Sequence, residues 1–188
     1  MSQKADVVVK AEEVWASILN SASLIKNCDG GICVEIPVEK ISNRFTVAKD
    51  DWIHLAPVGT HSHPKNLLQV VDERSLDSMV ANFKSKKEND PTFPGLLLDF
   101  DHKSQDGNTE AGGWIMNLQK RDNGLWGQVK WSNSGKEAVE GGKYRLISPV
   151  WKRSDCEDLG GTKIRPLVLD SAALTNDPNM KGLVPIST

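Results

Sequence analysis

The run GWIMNLQKRDNGLWGQVKW, residues 113–131, constrains the fold more than any other stretch of the chain. Two segments carrying Trp, Ile, Leu and Val are separated by Asp122-Asn123-Gly124, residue types that accept the backbone of a tight reversal. The run predicts an antiparallel β-hairpin, and the rest of the chain must fold around it.

Other segments read as its neighbours. Upstream, Val8, Ala11, Val14, Trp15, Ile18 and Leu19 recur at helical spacing over residues 5–20. Alternation in ICVEIPVE predicts a half-buried strand over 32–39, placed at an edge by Pro37. A further strand is expected over 45–56, followed by a loop, PVGTHSHPKNL. DERSLDSMVANFKSK then predicts an amphipathic helix with Leu76, Met79, Val80 and Phe83 inward, ended by PTFPG. LLLDFDH at 96–102 reads as a strand with Leu96, Leu98, Phe100 and His102 on one face and Leu97, Asp99 and Asp101 on the other.

After the hairpin, SNSGKEAVEGG predicts a short helix, capped by Ser132 or Ser134 and stopped by Gly141-Gly142. In KYRLISPVWKRSD, extended parity puts Tyr144, Leu146, Ser148 and Val150 on one side, so the serine is expected on the apolar face. After a turn at Gly160-Gly161, one last strand is expected within KIRPLVLDSAALTNDP. About seven strands with two or three helices predict an α+β chain, mainly an antiparallel β-barrel flanked by helices.

Composition excludes several classes of function. With a net charge of −2 and a pI near 6.1, the chain has no basic footprint for nucleic acid. No long apolar run or charged-then-apolar leader is visible, which argues against a membrane partner and a secretory route. Cys28, Cys33 and Cys156 are odd in number and lack zinc spacing, which suits a reducing compartment.

Three constellations could carry chemistry. His54, His61 and His63 resemble a metal set, but no acid or cysteine completes the spacing, so no metal or other cofactor is expected. Asp99, Asp101 and Asp106 fit solvated or capping carboxylates better than a calcium loop. His102 and Ser148 form the third. A serine hydroxyl becomes a nucleophile when a neutral imidazole takes its proton, and Pro149 biases Ser148 toward extended backbone.

The motifs IHLAPVG (53–59), LLLDFDH (96–102), GGWI (112–115), GLWGQVKW (124–131), YRLISPVW (144–151) and AALTNDP (172–178) occur in an order that resembles the Mu-like phage I proteins, capsid maturation proteases. That family is similar in turn to tailed-phage prohead proteases and to herpesvirus assemblin. The resemblance implies a herpesvirus-protease-like barrel over 46–188 and a serine endopeptidase that cleaves phage scaffold protein and itself through an acyl-enzyme.

Its partners would be phage scaffold and capsid proteins, in the host bacterial cytoplasm within the procapsid, with a homodimer left open. By the resemblance, His102 is the base and Ser148 the nucleophile. The orienting third member falls at Ser171, where relatives carry a histidine or an acid, with Asp170 adjacent. The chemistry also requires an oxyanion donor, for which Asn176 or a nearby backbone N–H is the candidate. Residues 1–45 would be an arm, a dimer contact or a propeptide. Two other readings stay open: a non-catalytic scaffold or capsid-assembly factor on the same fold, and a metal-dependent hydrolase built on His54, His61, His63 and His102.

Overall fold

The computed structural model describes residues 51–186, all within one compact unit spanning Arg44–Thr188. The expected helix over 5–20, the strand over 32–39, the start of the 45–56 strand, the arm over 1–45, Cys28 and Cys33 lie outside the described residues.

The fold is mixed α+β. Its larger sheet has six strands in the order β1-β6-β5-β4-β10-β7: β1 (Trp52–Pro57), β6 (Gly124–Trp131), β5 (Gly113–Arg121), β4 (Leu96–Phe100), β10 (Ser171–Thr175) and β7 (Leu146–Val150). Its end strands β1 and β7 approach one another, so the sheet is nearly a closed barrel. Along the seam, Val184 N donates to His54 Nδ1 on β1 (3.1 Å), and Ile186 N donates to Arg145 O just before β7 (2.9 Å). Residues 184–186 therefore bridge the two edges. Ile53, Leu55, Leu98, Ile115, Leu125, Ile147 and Leu174 fill the interior.

The hairpin forms as its turn chemistry predicts, with β5 and β6 in register from Gly113↔Trp131 to Arg121↔Gly124 and a bulge between Ile115 and Asn117. Gly124 has φ +144, and a Cβ there would lie 2.1 Å from Ala56 O on β1. Only glycine lets β1 pair this closely with the start of β6.

A second sheet, in the order β2-β3-β9-β8, joins β2 (Gly59–His63), β3 (Leu67–Val71), β9 (Lys163–Pro166) and β8 (Cys156–Asp158). Two expectations are corrected here. The stretch 57–67 is not a loop; its turn formers bracket short strands, and β2 and β3 pair antiparallel from Gly59↔Val71 to His63↔Leu67. The final segment is not one strand either: β9 belongs to the small sheet, and the chain crosses at 167–170 to become β10 of the large one.

Two α-helices flank the sheets of the described residues. α1 (Glu73–Asn89) is capped by Asp72, which accepts from Ser75 N, and buries Leu76, Met79 and Phe83. Arg165 on β9 clamps Asp72 (2.7 Å) and also pairs with Glu157 on β8, tying the helix start to the small sheet. α2 (Asn133–Glu140) starts at Ser132, whose Oγ accepts from Gly135 N at 3.0 Å. Of the two candidate caps, Ser132 takes the role.

Candidate functional site

Strand β7 corrects the sequence parity. Ile147 is 1% exposed and points into the barrel with Leu174 beside it, so Ser148 lies on the opposite face, half-buried, outside the core. The apolar side chains nearest in sequence had suggested that the serine shares the core face. The barrel instead counts Ile147 as its core residue and leaves Ser148 turned toward a pocket of about 780 Å³.

That pocket lies between the two sheets. The large sheet contributes Ser148, Pro149 and Val150, and the small sheet contributes His63, Leu67, Gln69, Cys156 and Ile164. Trp151 spans the junction by donating from Nε1 to Gln69 Oε1 at 2.8 Å. Lys65, Lys152 and Arg153 stand at the rim, Lys152 paired with Asp170 and Arg153 with Asp158. Cys156 also faces it, its thiol pushed up by burial.

His102 lines the same pocket, but not as a strand residue. β4 ends at Phe100, and Asp101 and His102 both adopt left-handed backbone, with φ 52° and 60°. A non-glycine pair in this region is costly and must be held by its surroundings. Asp101 N donates to Leu174 O (2.9 Å) and Gln105 N donates to His102 O (3.0 Å), which pin the turn. The expected alternation of Phe100, Asp101 and His102 therefore fails, because the strand has already ended. His102 Nδ1 is buried with no hydrogen-bond partner among the described residues.

The remaining sequence candidates scatter. Asp170 lines the pocket, but its carboxylate pairs with Lys152 Nζ at 2.7 Å, and its N–H donates to Val150 O. Ser171 sits opposite Val150 on β10 and does not line the pocket. Asn176 is committed elsewhere: its Oδ1 accepts from Arg145 N at 3.1 Å and its Nδ2 donates to Lys143 O at 2.8 Å, holding the approach to β7. The pocket contains instead Asn179 and Gln105, which sequence reasoning passed over because neither sits in a recognisable motif.

Asp101 accepts from Tyr144 Oη at 2.6 Å, and this bond with burial pushes the phenol up to about 12. Asp99 caps the turn after β4, one of the two roles expected of it. It is 2% exposed, its Oδ2 accepts from Ser104 N at 2.8 Å, and its Oδ1 is buried without a partner among the described residues.

The four histidines do not form one set: His63 and His102 line the same pocket, and His54 and His61 lie outside it. His54 is buried on β1, stacked on Trp126 at 5.0 Å, and desolvation holds its imidazole below its ordinary range. His61 Nε2 bonds with Pro57 O at 3.0 Å, and His63 Nδ1 accepts from Lys65 N at 3.2 Å. Among the described residues, no group of three His, Cys, Asp or Glu side chains could hold a metal ion.

With this geometry in place, comparison with known proteins decides the family. The family model described as "Mu-like prophage I protein, N-terminal domain" matches residues 53–187. The chain belongs to the Mu-like prophage I protein family. It is 28% identical over 151 residues to the Mu-like prophage FluMu I protein of Haemophilus influenzae, covering 71% of this chain and 39% of that relative. The chain thus spans about two fifths of that relative's length. No solved structure matches. The family places the protein among those of Mu-like prophages, and no helix of the described residues is long and apolar enough to cross a membrane.

Proposed function

We propose that this domain is a serine endopeptidase of phage capsid maturation, of herpesvirus-protease-like architecture, acting on scaffold protein and on its own chain inside the procapsid. One observation carries the reading: Ser148, turned out of the core by the register of β7, and His102, held in a left-handed turn after β4, line one pocket. Family membership supports the phage setting.

In this reading His102 takes the proton of Ser148 Oγ as the oxygen attacks the scissile carbonyl. It returns that proton to the leaving amine as the C–N bond breaks, and water then hydrolyses the acyl-enzyme. The pocket between the sheets would receive a stretch of polypeptide.

The test is labelling by a fluorophosphonate, which reacts with activated serines, followed by intact mass. We expect one adduct, at Ser148, that disappears in Ser148→Ala and His102→Ala. Equal labelling of Ser148→Ala would defeat the nucleophile assignment.

A non-catalytic capsid-assembly factor on the same fold is the second reading, favoured by the unpartnered His102 Nδ1. It expects no adduct in any form and no cleavage of a co-expressed scaffold protein.

A further inference from the structure

We propose that Asp99 is the positioning residue for His102, the role that the resemblance gave to Ser171 or Asp170; the inference rests on the peptidase reading of this pocket. Strand register supplies the first support. Asp99 on β4 pairs with Ala173 on β10, and Ala173 pairs with Ser148 on β7. Residues in one such row project to one face of a sheet, so Asp99, Ala173 and Ser148 share the face that Phe100, Leu174 and Ile147 do not.

Two strand spacings separate Asp99 from Ser148, about 10 Å between backbones. An imidazole bonded at both nitrogens needs roughly 8 Å from oxygen to oxygen, the sum of two hydrogen bonds and the ring between them. The residue between them in the row is Ala173, whose small side chain takes up little of that span.

The second support comes from two unpartnered atoms around one turn. Asp99 Oδ1 and His102 Nδ1 are both buried without a hydrogen-bond partner among the described residues. Buried polar atoms are nearly always paired, and these two are complementary, a carboxylate acceptor and a ring nitrogen that donates in one tautomer. The left-handed turn at Asp101 and His102 folds the chain back over Asp99, whose other oxygen already anchors Ser104 N.

Existing partners eliminate the rivals. The chain leaves β4 level with Leu174, where Asp101 N bonds to Leu174 O. Asp170 precedes β10, and although it lines the pocket its carboxylate is occupied by Lys152. Asp101 is occupied by Tyr144. A turn of the ring pairs Nδ1–H of His102 with Asp99 Oδ1 in the native chain, which leaves Nε2 to exchange the proton with Ser148 Oγ and then with the leaving amine. Asp99 remains ionised throughout, and stabilises the imidazolium that forms.

The competing role is a plain turn cap, and Asp99→Asn separates the two because the amide oxygen still accepts from Ser104 N while the charge is lost. We expect Asp99→Asn to keep its Tm within a few degrees and to lose at least about 100-fold in fluorophosphonate labelling rate. Asp170→Asn should stay within about twofold of the native chain. Independently of folding by any Asp99 variant, 15N NMR of the histidine rings in the native chain should show His102 protonated at Nδ1. A bare Nδ1, or native-rate labelling of Asp99→Asn, overturns the assignment of Asp99 while leaving the peptidase reading intact if Ser148→Ala stays unlabelled. Native-rate labelling of Ser148→Ala overturns the peptidase reading itself.

Discussion

His54 and His102 are the same residue type in opposite circumstances. His54 sits on a strand at the barrel seam, stacked on Trp126, with Nδ1 accepting from the Val184 amide. His102 sits in a left-handed turn at a pocket, with Nδ1 unpartnered and a serine on the same wall. The first ring spends one nitrogen on holding an edge, its Nε2 being buried without a partner among the described residues, and burial keeps it neutral. The second also has one unpartnered nitrogen, but it is held in strained backbone and faces a pocket. Such unspent capacity, maintained by a costly conformation, marks sites of function more reliably than the presence of a histidine does.

The contrast breaks most visibly under substitution. On the peptidase reading, His102→Ala should lower labelling of Ser148 by roughly a thousandfold or more while shifting Tm little, since the proposed general base is lost and no core contact is. His54→Ala should do the reverse, costing about 3 kcal/mol through a lost stacked ring and a cavity, with labelling of the folded fraction intact. Loss of labelling in His54→Ala at a temperature where it is fully folded would erase the distinction.

A steric change sharpens the comparison next. Ala173→Leu would push a branched side chain between Asp99 and Ser148, so labelling should fall at least tenfold, accompanied by a stability loss of about 1–3 kcal/mol from overpacking. The mirror change at the seam, Trp126→Leu, should leave labelling unaltered.

Acid supplies a smaller effect. The imidazole of His54 is held below its ordinary range in the folded chain, so the unfolded chain binds the proton first. Its contribution is present above about pH 6.5 and is lost as pH falls toward the folded value. Denaturant midpoints should therefore drop on moving from pH 7 to 5, and His54→Gln should flatten that slope. Asp72 adds to the loss at lower pH: the Arg165 guanidinium depresses its carboxyl, so its stabilisation holds above about pH 4 and fades below.

The smallest expected effect is alkaline. Tyr144 is raised to about 12 by Asp101, so the neutral phenol stabilises the fold fully below pH 10, and that contribution disappears as pH rises through 12. Tyr144→Phe should cost about 1 kcal/mol at pH 8 and remove the drop between pH 10 and 12. It also frees Asp101 beside His102, so a changed labelling rate in Tyr144→Phe would show that the turn itself tunes the base.

How far the sequence was legible depended on whether local chemistry agreed with the final geometry. The hairpin at 113–131, the helix after Asp72 and the short helix after Ser132 could be read because turn residues, caps and periodicity all pointed one way. The strands around His61 and His63 were hidden among Pro, Gly and Asn that end strands as readily as they fill loops. The break at 167–170 lies between two segments of similar composition and carries no glycine, so nothing local announces the change of sheet. At the site, Ser148 and His102 were visible as types at motif positions. Their faces were not, because parity fails wherever a strand ends early, as at Phe100, or wherever the core selects the other residue, as at Ile147. Asp99 was discounted for the same reason: tertiary register, not spacing, sets it in the row of Ser148.

The place of β10 in the order of synthesis has a consequence of its own. It is the last strand of the described chain, yet it lies between β4 and β7 and carries the residue that separates Asp99 from Ser148. At about 5–20 residues per second, a ribosome needs several seconds to make the stretch from Phe100 to Ser171, and over that interval β4 has no partner on one side. The pocket wall is thus assembled only when the domain is nearly complete. A nascent chain arrested before residue 171 should fail to take the fluorophosphonate, so on the peptidase reading the fold itself would keep an unfinished chain from cutting those being made around it.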